Sequence, residues 1–137
     1  MARDTIHYAV REAIEKDGWS VTHDPYPIKV GGFEMEIDLG AENILAAQRA
    51  DEKIAVEVKS FIGLSKVHDF HLAVGQFVDY HLARQIREPE RVLYVGITDE
   101  TYEEVFSRPF AQLVVQTLKM KLIIVNAEKR EVTQWIK

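Results

Sequence analysis

The stretch that decides the fold of this chain is Gly31–Lys59, which reads GGFEMEIDLGAENILAAQRADEKIAVEVK. Within it, apolar and polar residues alternate twice, first over Phe33–Leu39 and again over Ile54–Lys59. Such alternation is typical of β-strands whose two faces meet different environments. Because successive strand side chains point to opposite faces, Glu57 and Lys59 are predicted to share one face.

The same rule places Glu36 and Asp38 together on one face of the earlier strand. Two neighbouring strands that each present an acid repel each other unless a cation lies between them. Carboxylate oxygens suit Mg²⁺ or Mn²⁺, and Lys59 beside such an ion could steady an attacking water or a phosphate oxygen. The pattern predicts a metal site for phosphodiester hydrolysis. The alternative is an antiparallel hairpin with a solvated polar face, on which Lys59 only neutralises its neighbours.

Composition predicts one folded domain, 1–137, without thiol chemistry. The chain has 137 residues, of which 47% are hydrophobic, and it contains no cysteine. Disulfide frameworks and thiolate metal sites are therefore excluded. The net charge of −5 argues against nonspecific binding of nucleic acid over the whole surface. It is compatible with a carboxylate metal centre, since the ion offsets part of the acidic charge.

Neither the opening MARDTIHYAV nor any later segment has the long apolar stretch of a signal peptide or a membrane-spanning helix. We therefore expect a cytoplasmic protein with no membrane partner.

Hydrophobic spacing predicts two clear helices. The first is capped by Asp4 and ended by Gly18. The second covers Lys66–Arg87 and turns an apolar stripe towards the core: Val67, Phe70, Val74, Phe77 and Val78. The remaining predicted elements are strand Trp19–His23, strand Asn43–Arg49 (whose alanines also allow a helix), buried strand Arg91–Ile97, a short helix Glu100–Phe106 capped by Asp99, helix Pro109–Leu118, buried strand Leu122–Val125 and a terminal edge strand Val132–Lys137.

This order of elements predicts an α/β fold with a mixed β-sheet flanked by helices. The first three strands are expected to be antiparallel because their connections are short. The strand after the long helix is expected to return parallel through a crossover connection.

Two motifs resemble those of the PD-(D/E)XK nucleases. Asp38 followed by Glu57-Val58-Lys59 is similar to the pattern of that superfamily, although Ile37 replaces the proline before the aspartate. Gln76 and Tyr80, four residues apart on the long helix, match the Q-x-x-x-Y motif of RecB-like members. The resemblance implies a restriction-endonuclease-like core.

The similarity extends along essentially the whole chain to a narrower family, XisH. The blocks that carry it are MARDTIHYAVREAIEKDGW, VGGFEMEIDLGAE, IAVEVKSF, DFHLAVGQF and QWIK. The resemblance implies a controlling factor for excision of a DNA element, a role in DNA rearrangement by recombination, and three partners: DNA, an XisI-like companion and a site-specific recombinase.

Carried over position by position, the resemblance implies that Asp38 and Glu57 are metal ligands, with the carbonyl of Val58 as a third. Lys59 would then stabilise the phosphate or orient the attacking water. Gln76 would position the nucleophile or a phosphate, and the Tyr80 side chain would pack behind it or touch the DNA backbone. The ordinary interpretation of the last two is a polar helix flank with a half-buried tyrosine.

The first helix departs from the nuclease pattern. Many relatives carry a glutamate ligand there, and the equivalent position in this chain is His7. Histidine suits Mn²⁺ or Zn²⁺ better than Mg²⁺, and the alternative for His7 is a half-exposed helix residue. His68 and His71 are interpreted as a polar edge of the long helix. Glu36 is either an acid that supports the metal ligands or a solvent-facing strand residue.

Two functional hypotheses follow. In the first, the protein is a metal-dependent endonuclease that acts on a branched or recombining DNA intermediate. In the second, it keeps the nuclease fold without cleavage and binds DNA, the recombinase or the companion. A homodimer is a further alternative, in which Trp135 on the terminal strand or the helix Phe110–Leu118 either covers the core or joins two subunits.

Overall fold

The computed structural model describes residues 3–35 and 43–137, which form a mixed six-stranded sheet flanked by helices. The strands in this part of the chain are β1 (Ser20–His23), β2 (Lys29–Val30), β3 (Phe33–Glu34), β4 (Asn43–Arg49), β5 (Glu52–Val58), β6 (Val92–Thr98), β7 (Leu122–Asn126) and β8 (Glu131–Ile136). The helices are α1 (Arg3–Lys16), α2 (Lys66–Arg87), α3 (Asp99–Thr101), which continues into a π-helical turn (Tyr102–Phe106), and α4 (Pro109–Leu118).

The main sheet has the strand order β1-β4-β5-β6-β7-β8. Strand β4 is antiparallel to β1 and to β5, and the short connection between β4 and β5 predicts the second of these pairings. Strand β6 lies parallel to β5 after the crossover through α2, and β7 lies parallel to β6. Strand β8 returns antiparallel at the edge, so the predicted terminal edge strand is confirmed.

Only the first residues of the predicted strand Phe33–Leu39 are described, and these do not lie beside the strand that carries Glu57. Its described part, β3, pairs with β2 in a separate two-stranded sheet, and both neighbours of β5 are other strands, β4 and β6. Within the described residues, the two strands expected to be neighbours are therefore not paired with each other. Residues 36–42, which include Glu36 and Asp38, lie outside the described residues.

Helix α1 ends as predicted but begins two residues earlier than an N-cap at Asp4 implies. Gly18 has a φ of 93°, and the backbone N–H of Trp19 donates to the carbonyl of Ile14 at 3.1 Å, as in a Schellman motif. Because the helix already includes Arg3, Asp4 lies in the first turn and is not the N-cap. Its carboxylate there still interacts favourably with the helix dipole.

Helix α2 has the predicted bounds, and the hydroxyl of Ser65 caps its first turn. Phe70 and Phe77 face the core as expected. Val67 and Val78 do not, since 53% and 37% of their surfaces remain exposed. No helix in the two described ranges has the length and apolarity needed to cross a membrane.

The two faces of the sheet bury separate apolar clusters. Helix α1 packs on one face, where the cluster contains Ile6, Val10, Ile14, Leu45, Val56, Val58 and Ile123. Helices α2 and α4 pack on the other, where the cluster contains Phe70, Phe77, Ile44, Ala55, Val95 and Val115. The alternation along β5 thus separates Val56 and Val58 from the side chains that face α2.

The segment after β6 differs from the prediction at its start. The hydroxyl of Thr98 accepts a hydrogen bond from the backbone N–H of Thr101 at 3.2 Å, so Thr98 and not Asp99 is the N-cap. The predicted helix Glu100–Phe106 is present as α3 and the π-helical turn, and Pro109 occupies the first turn of α4.

Candidate functional site

A carboxylate and an ammonium group are buried side by side at the end of β5. Glu57 is 0% exposed and Lys59 is 6% exposed, and Lys59 Nζ lies 3.6 Å from Glu57 Oε1. The backbone N–H of Lys59 donates to the carbonyl of Gly96 at 3.0 Å, which continues the pairing with β6. The two side chains therefore share a face, and the alternative of a solvated polar face is wrong.

Helix α2 contributes a third polar group to this pair. Lys59 Nζ donates a hydrogen bond to Gln76 Oε1. Gln76 reaches it from the middle of α2, the helix that covers this face of the sheet. Lys59 is thus held between a carboxylate on its own strand and an amide oxygen on the helix above.

Tyr80 lies one helical turn after Gln76 and is 0% exposed. It belongs to the cluster between α2 and the sheet, so the interpretation as a half-buried tyrosine is wrong. His68 and His71 are exposed near the start of the same helix, in line with a polar edge.

Burying an ion pair is costly because both charges lose hydration, and their attraction offsets that loss only when further hydrogen bonds are made. A buried charged group beside a specific charge partner is a candidate for a functional site. Glu57, Lys59 and Gln76 therefore form the strongest candidate site in the described part of the chain.

Val58 separates the two charged residues along the strand. Its side chain is 2% exposed and belongs to the cluster under α1, on the opposite face of the sheet. Only its main-chain carbonyl is available for the ligand role that the motif implies.

His7 lies on α1 and is 5% exposed, so the interpretation as a half-exposed helix residue is wrong. Its Nε2 lies 2.8 Å from Asp24 Oδ2, and Arg11 Nη1 donates to the same oxygen at 2.8 Å. His7 Nδ1 is buried and has no hydrogen-bond partner. An orphaned ring nitrogen of this kind has the donor chemistry of a metal ligand.

The first turns of α1 lie at the same end of the sheet as Lys59. Ile6 lines a cavity of about 510 Å³ together with Ser60 and Thr98, which follow or end the parallel strands β5 and β6. Further along α1, Val10 lies close above Gly96 of β6. His7 therefore lies near the carboxyl end of β5, although α1 covers the face opposite to Glu57.

Metal ligands are only partly placed. Within residues 3–35 and 43–137, no group of three histidine, aspartate or glutamate side chains converges on one point. Asp38 and Glu36 are outside these ranges. The donors that are placed, the Glu57 carboxylate and the free His7 ring nitrogen, fit a divalent cation by their chemistry.

Asp24 is a polar residue that the sequence motifs did not single out. It follows β1 and precedes Pro25, and its side chain is 11% exposed. The prolines of the DPYP segment, residues 24–27, were sufficient to predict a strand end. The one available signal was an acid placed between a strand and a proline, which by itself does not indicate a partner.

A second buried polar cluster lies at the opposite end of β5. The hydroxyl of Tyr26 donates to Glu88, whose other oxygen lies 3.2 Å from Arg91 Nη2. Arg91 also donates to the carbonyl of Ile54 at 3.0 Å. Burial and the bond to Glu88 raise the pKa of Tyr26 to about 12. Burial alone would raise the pKa of Glu88, but the hydrogen bonds from Tyr26 and Arg91 outweigh it and lower that pKa. This cluster ties the end of α2 to the sheet.

A family model described as XisH protein matches residues 1–133 of the chain. The chain belongs to the XisH family. None of the curated proteins compared with it matches.

Two solved crystal structures are similar to this XisH-family protein over nearly its full length. One is an XisH family protein from Nostoc punctiforme PCC 73102, with 41% identity, 98% of this chain and 100% of that chain covered, and a TM-score of 0.90. The other is a FdxN element excision controlling factor protein from Anabaena variabilis, with 38% identity, 98% and 99% coverage, and a TM-score of 0.89.

Proposed function

We propose that this XisH-family protein is a controlling factor for excision of a DNA element, the role named for its Anabaena variabilis relative. We further propose that it acts as a divalent-metal-dependent endonuclease on a restriction-endonuclease-like core. The observation that carries the second step is the buried contact of Lys59 with Glu57 and Gln76. A lysine held this way is fixed in position before any substrate arrives.

The chain's own groups would divide the work as follows. Glu57, Asp38, the Val58 carbonyl and His7 are the residues that would hold Mg²⁺ or Mn²⁺. Such an ion supplies Lewis acidity, which makes water a competent nucleophile near neutral pH and offsets phosphate charge. Lys59 would donate to a phosphate oxygen on which negative charge builds in the transition state.

Gln76 would keep the Lys59 ammonium aimed at the substrate. Its amide is neutral, so it can hold the ammonium without competing for it as strongly as a second carboxylate. Tyr80, one turn further on and fully buried, would fix this part of α2 against the sheet.

Cleavage is tested with branched, nicked and supercoiled DNA in the presence of Mn²⁺ or Mg²⁺. We expect wild-type cleavage, and loss of it in Glu57→Gln and Lys59→Met. Lys53→Met is the matched control, because Lys53 lies on the same strand and on the same face but is 37% exposed at its side chain. Cleavage that survives both site variants would refute the assignment.

Ion binding is tested separately from cleavage. Divalent ions are expected to raise the melting temperature of the wild type, since a ligand bound only by the folded state stabilises it. Asp38→Ala and Glu57→Gln should abolish this gain. A wild type whose melting temperature does not respond to Mn²⁺ or Mg²⁺ would contradict a metal centre.

The buried contact of Lys59 also supports a second function, that of an accessory protein without cleavage. Lys59 is only 6% exposed and already has two polar partners. In an accessory protein without cleavage, this set would be a structural tie, and the protein would act by binding DNA, the recombinase or an XisI-like companion. DNA binding that persists without cleavage, and is unchanged in Lys59→Met, would favour this function.

A further inference from the structure

We propose that Asp24 is a positioning residue that holds His7 with Nδ1 presented to a divalent cation. This inference rests on the metal-dependent function proposed above. It adds a residue that no motif identifies, and it predicts that the site takes Mn²⁺ in preference to Mg²⁺.

The hydrogen bonds around Asp24 determine which tautomer the His7 ring adopts. Asp24 Oδ2 already accepts a hydrogen bond from Arg11 Nη1 at 2.8 Å, and His7 Nε2 lies 2.8 Å from the same oxygen. A carboxylate accepts and does not donate, so Nε2 must carry the proton. In the neutral ring, Nδ1 is then a bare lone pair, which is the form that binds metals.

The other ring nitrogen has no competing partner. His7 Nδ1 is buried without a hydrogen bond in a side chain that is 5% exposed. A buried polar atom left without a partner costs free energy, so a native fold retains it where something else repays that cost. Coordination of a cation would give this nitrogen a partner.

An acid that holds one ring nitrogen while a metal takes the other is the usual arrangement around metal-binding histidines. The carboxylate fixes the tautomer and the orientation of the ring. Arg11 offsets the negative charge of Asp24, so the pair can be buried without leaving a bare acid.

Imidazole is a softer ligand than carboxylate or water, and Mg²⁺ prefers oxygen ligands. A site that includes His7 should therefore bind Mn²⁺ more tightly than Mg²⁺. The first turns of α1 lie at the carboxyl end of β5, since Ile6 lines one cavity with Ser60 and Thr98.

The test is Mn²⁺ affinity by titration calorimetry, with pulsed electron paramagnetic resonance of the bound Mn²⁺ to detect coupling to an imidazole nitrogen. We expect that coupling in the wild type and its loss in His7→Ala. Asp24→Ala should weaken Mn²⁺ binding about 10- to 100-fold. Asp24→Asn, which keeps an acceptor oxygen for Nε2, should lose less.

Asp17→Ala is the matched control, because Asp17 also accepts a hydrogen bond from a ring N–H, that of Trp135, at 2.8 Å. It should bind Mn²⁺ as the wild type does. If Asp24 were only a structural tie, Asp24→Ala would lower the melting temperature without metal and leave Mn²⁺ affinity unchanged, which would overturn the inference.

Failure of this inference is distinct from failure of the proposed function. Suppose that the wild type binds Mn²⁺ without nitrogen coupling and that Glu57→Gln abolishes the binding. This result would overturn the role of His7 and Asp24 but not the proposed function. A wild type that does not bind Mn²⁺ would overturn both. If Asp24→Ala does not fold, two results together would overturn the inference. Asp24→Asn would bind Mn²⁺ as tightly as the wild type with the same nitrogen coupling, and His7→Ala would keep that coupling.

Discussion

Removing the charge of Lys59 should destabilise the protein far more than removing a lysine elsewhere on β5. The Nζ–Oε1 distance of 3.6 Å corresponds to an attraction of about 4–5 kcal/mol at an effective dielectric constant of about 20. Lys59→Met would leave the fully buried Glu57 without its cation, and breaking a buried pair on one side costs about 3–5 kcal/mol.

Glu57→Gln should cost less, about 1.5–3 kcal/mol, because an amide oxygen can still accept from Lys59. The double variant Glu57→Gln/Lys59→Met leaves neither charge buried. The free energy of unfolding that the double variant loses should therefore be about 2–3 kcal/mol smaller than the sum of the losses in the two single variants. Lys53→Met, which breaks only a half-exposed contact with Glu90 at 4.0 Å, should change stability by less than about 1 kcal/mol.

The assay is urea unfolding followed by circular dichroism at pH 7 without divalent cations. Single losses that add to within about 0.5 kcal/mol would refute the reasoning, because additivity would mean that the ammonium and the carboxylate do not interact.

Three more expectations follow. The pKa of Tyr26 is about 12 in the folded protein and 10.0 ordinarily. The stability that this shift contributes to the fold is therefore complete below pH 10 and is lost as the pH rises towards 12. Tyr26→Phe should flatten this decline of the urea unfolding midpoint with pH, and equally steep declines in the wild type and the variant would contradict the expectation. A Cβ on Gly96 would lie 3.0 Å and 3.1 Å from valine methyl groups of β5 and α1, so Gly96→Ala should cost about 1–3 kcal/mol. Gly75→Ala, with open space around the new carbon, serves as the control. Equal melting temperatures of the Gly96→Ala and Gly75→Ala variants would count against close packing at Gly96. If the exposed Phe110 (63%) and Leu113 (58%) on α4 join two subunits, Phe110→Ser should convert a dimer to a monomer in light scattering, and an unchanged mass would argue against that face.

Most of the secondary structure could be predicted from the sequence where a local signal decides it. The bounds of α2 follow from the apolar spacing along Lys66–Arg87. Val67 and Val78 were predicted to face the core and do not. Apolar spacing is limited in this respect, because it does not tell which part of an apolar helix surface the sheet will cover.

The candidate site was predictable where it depends on a single strand. Alternation alone puts Glu57 and Lys59 on one face, and the structure shows them in contact. Burial was not predictable, because it depends on α2 lying over the strand. The contact of Gln76 with Lys59 follows from the motif resemblance and not from local spacing.

Two features needed tertiary structure. The pairing of β3 with β2 depends on which strands compete for the edges of β5, and short alternating runs do not encode that choice. Asp24 meets His7 across 17 positions of chain, and no periodicity in either segment points to the other.

Glu57, Lys59 and Gln76 all belong to one strand–helix unit, and twenty consecutive residues contain them. Phe61, buried with a φ of 53°, bends the backbone just after the strand and packs edge-on against Phe106. Closing so short a loop costs little chain entropy, so the acid, the base and the amide should come together as soon as this unit forms, before the chain ends have docked.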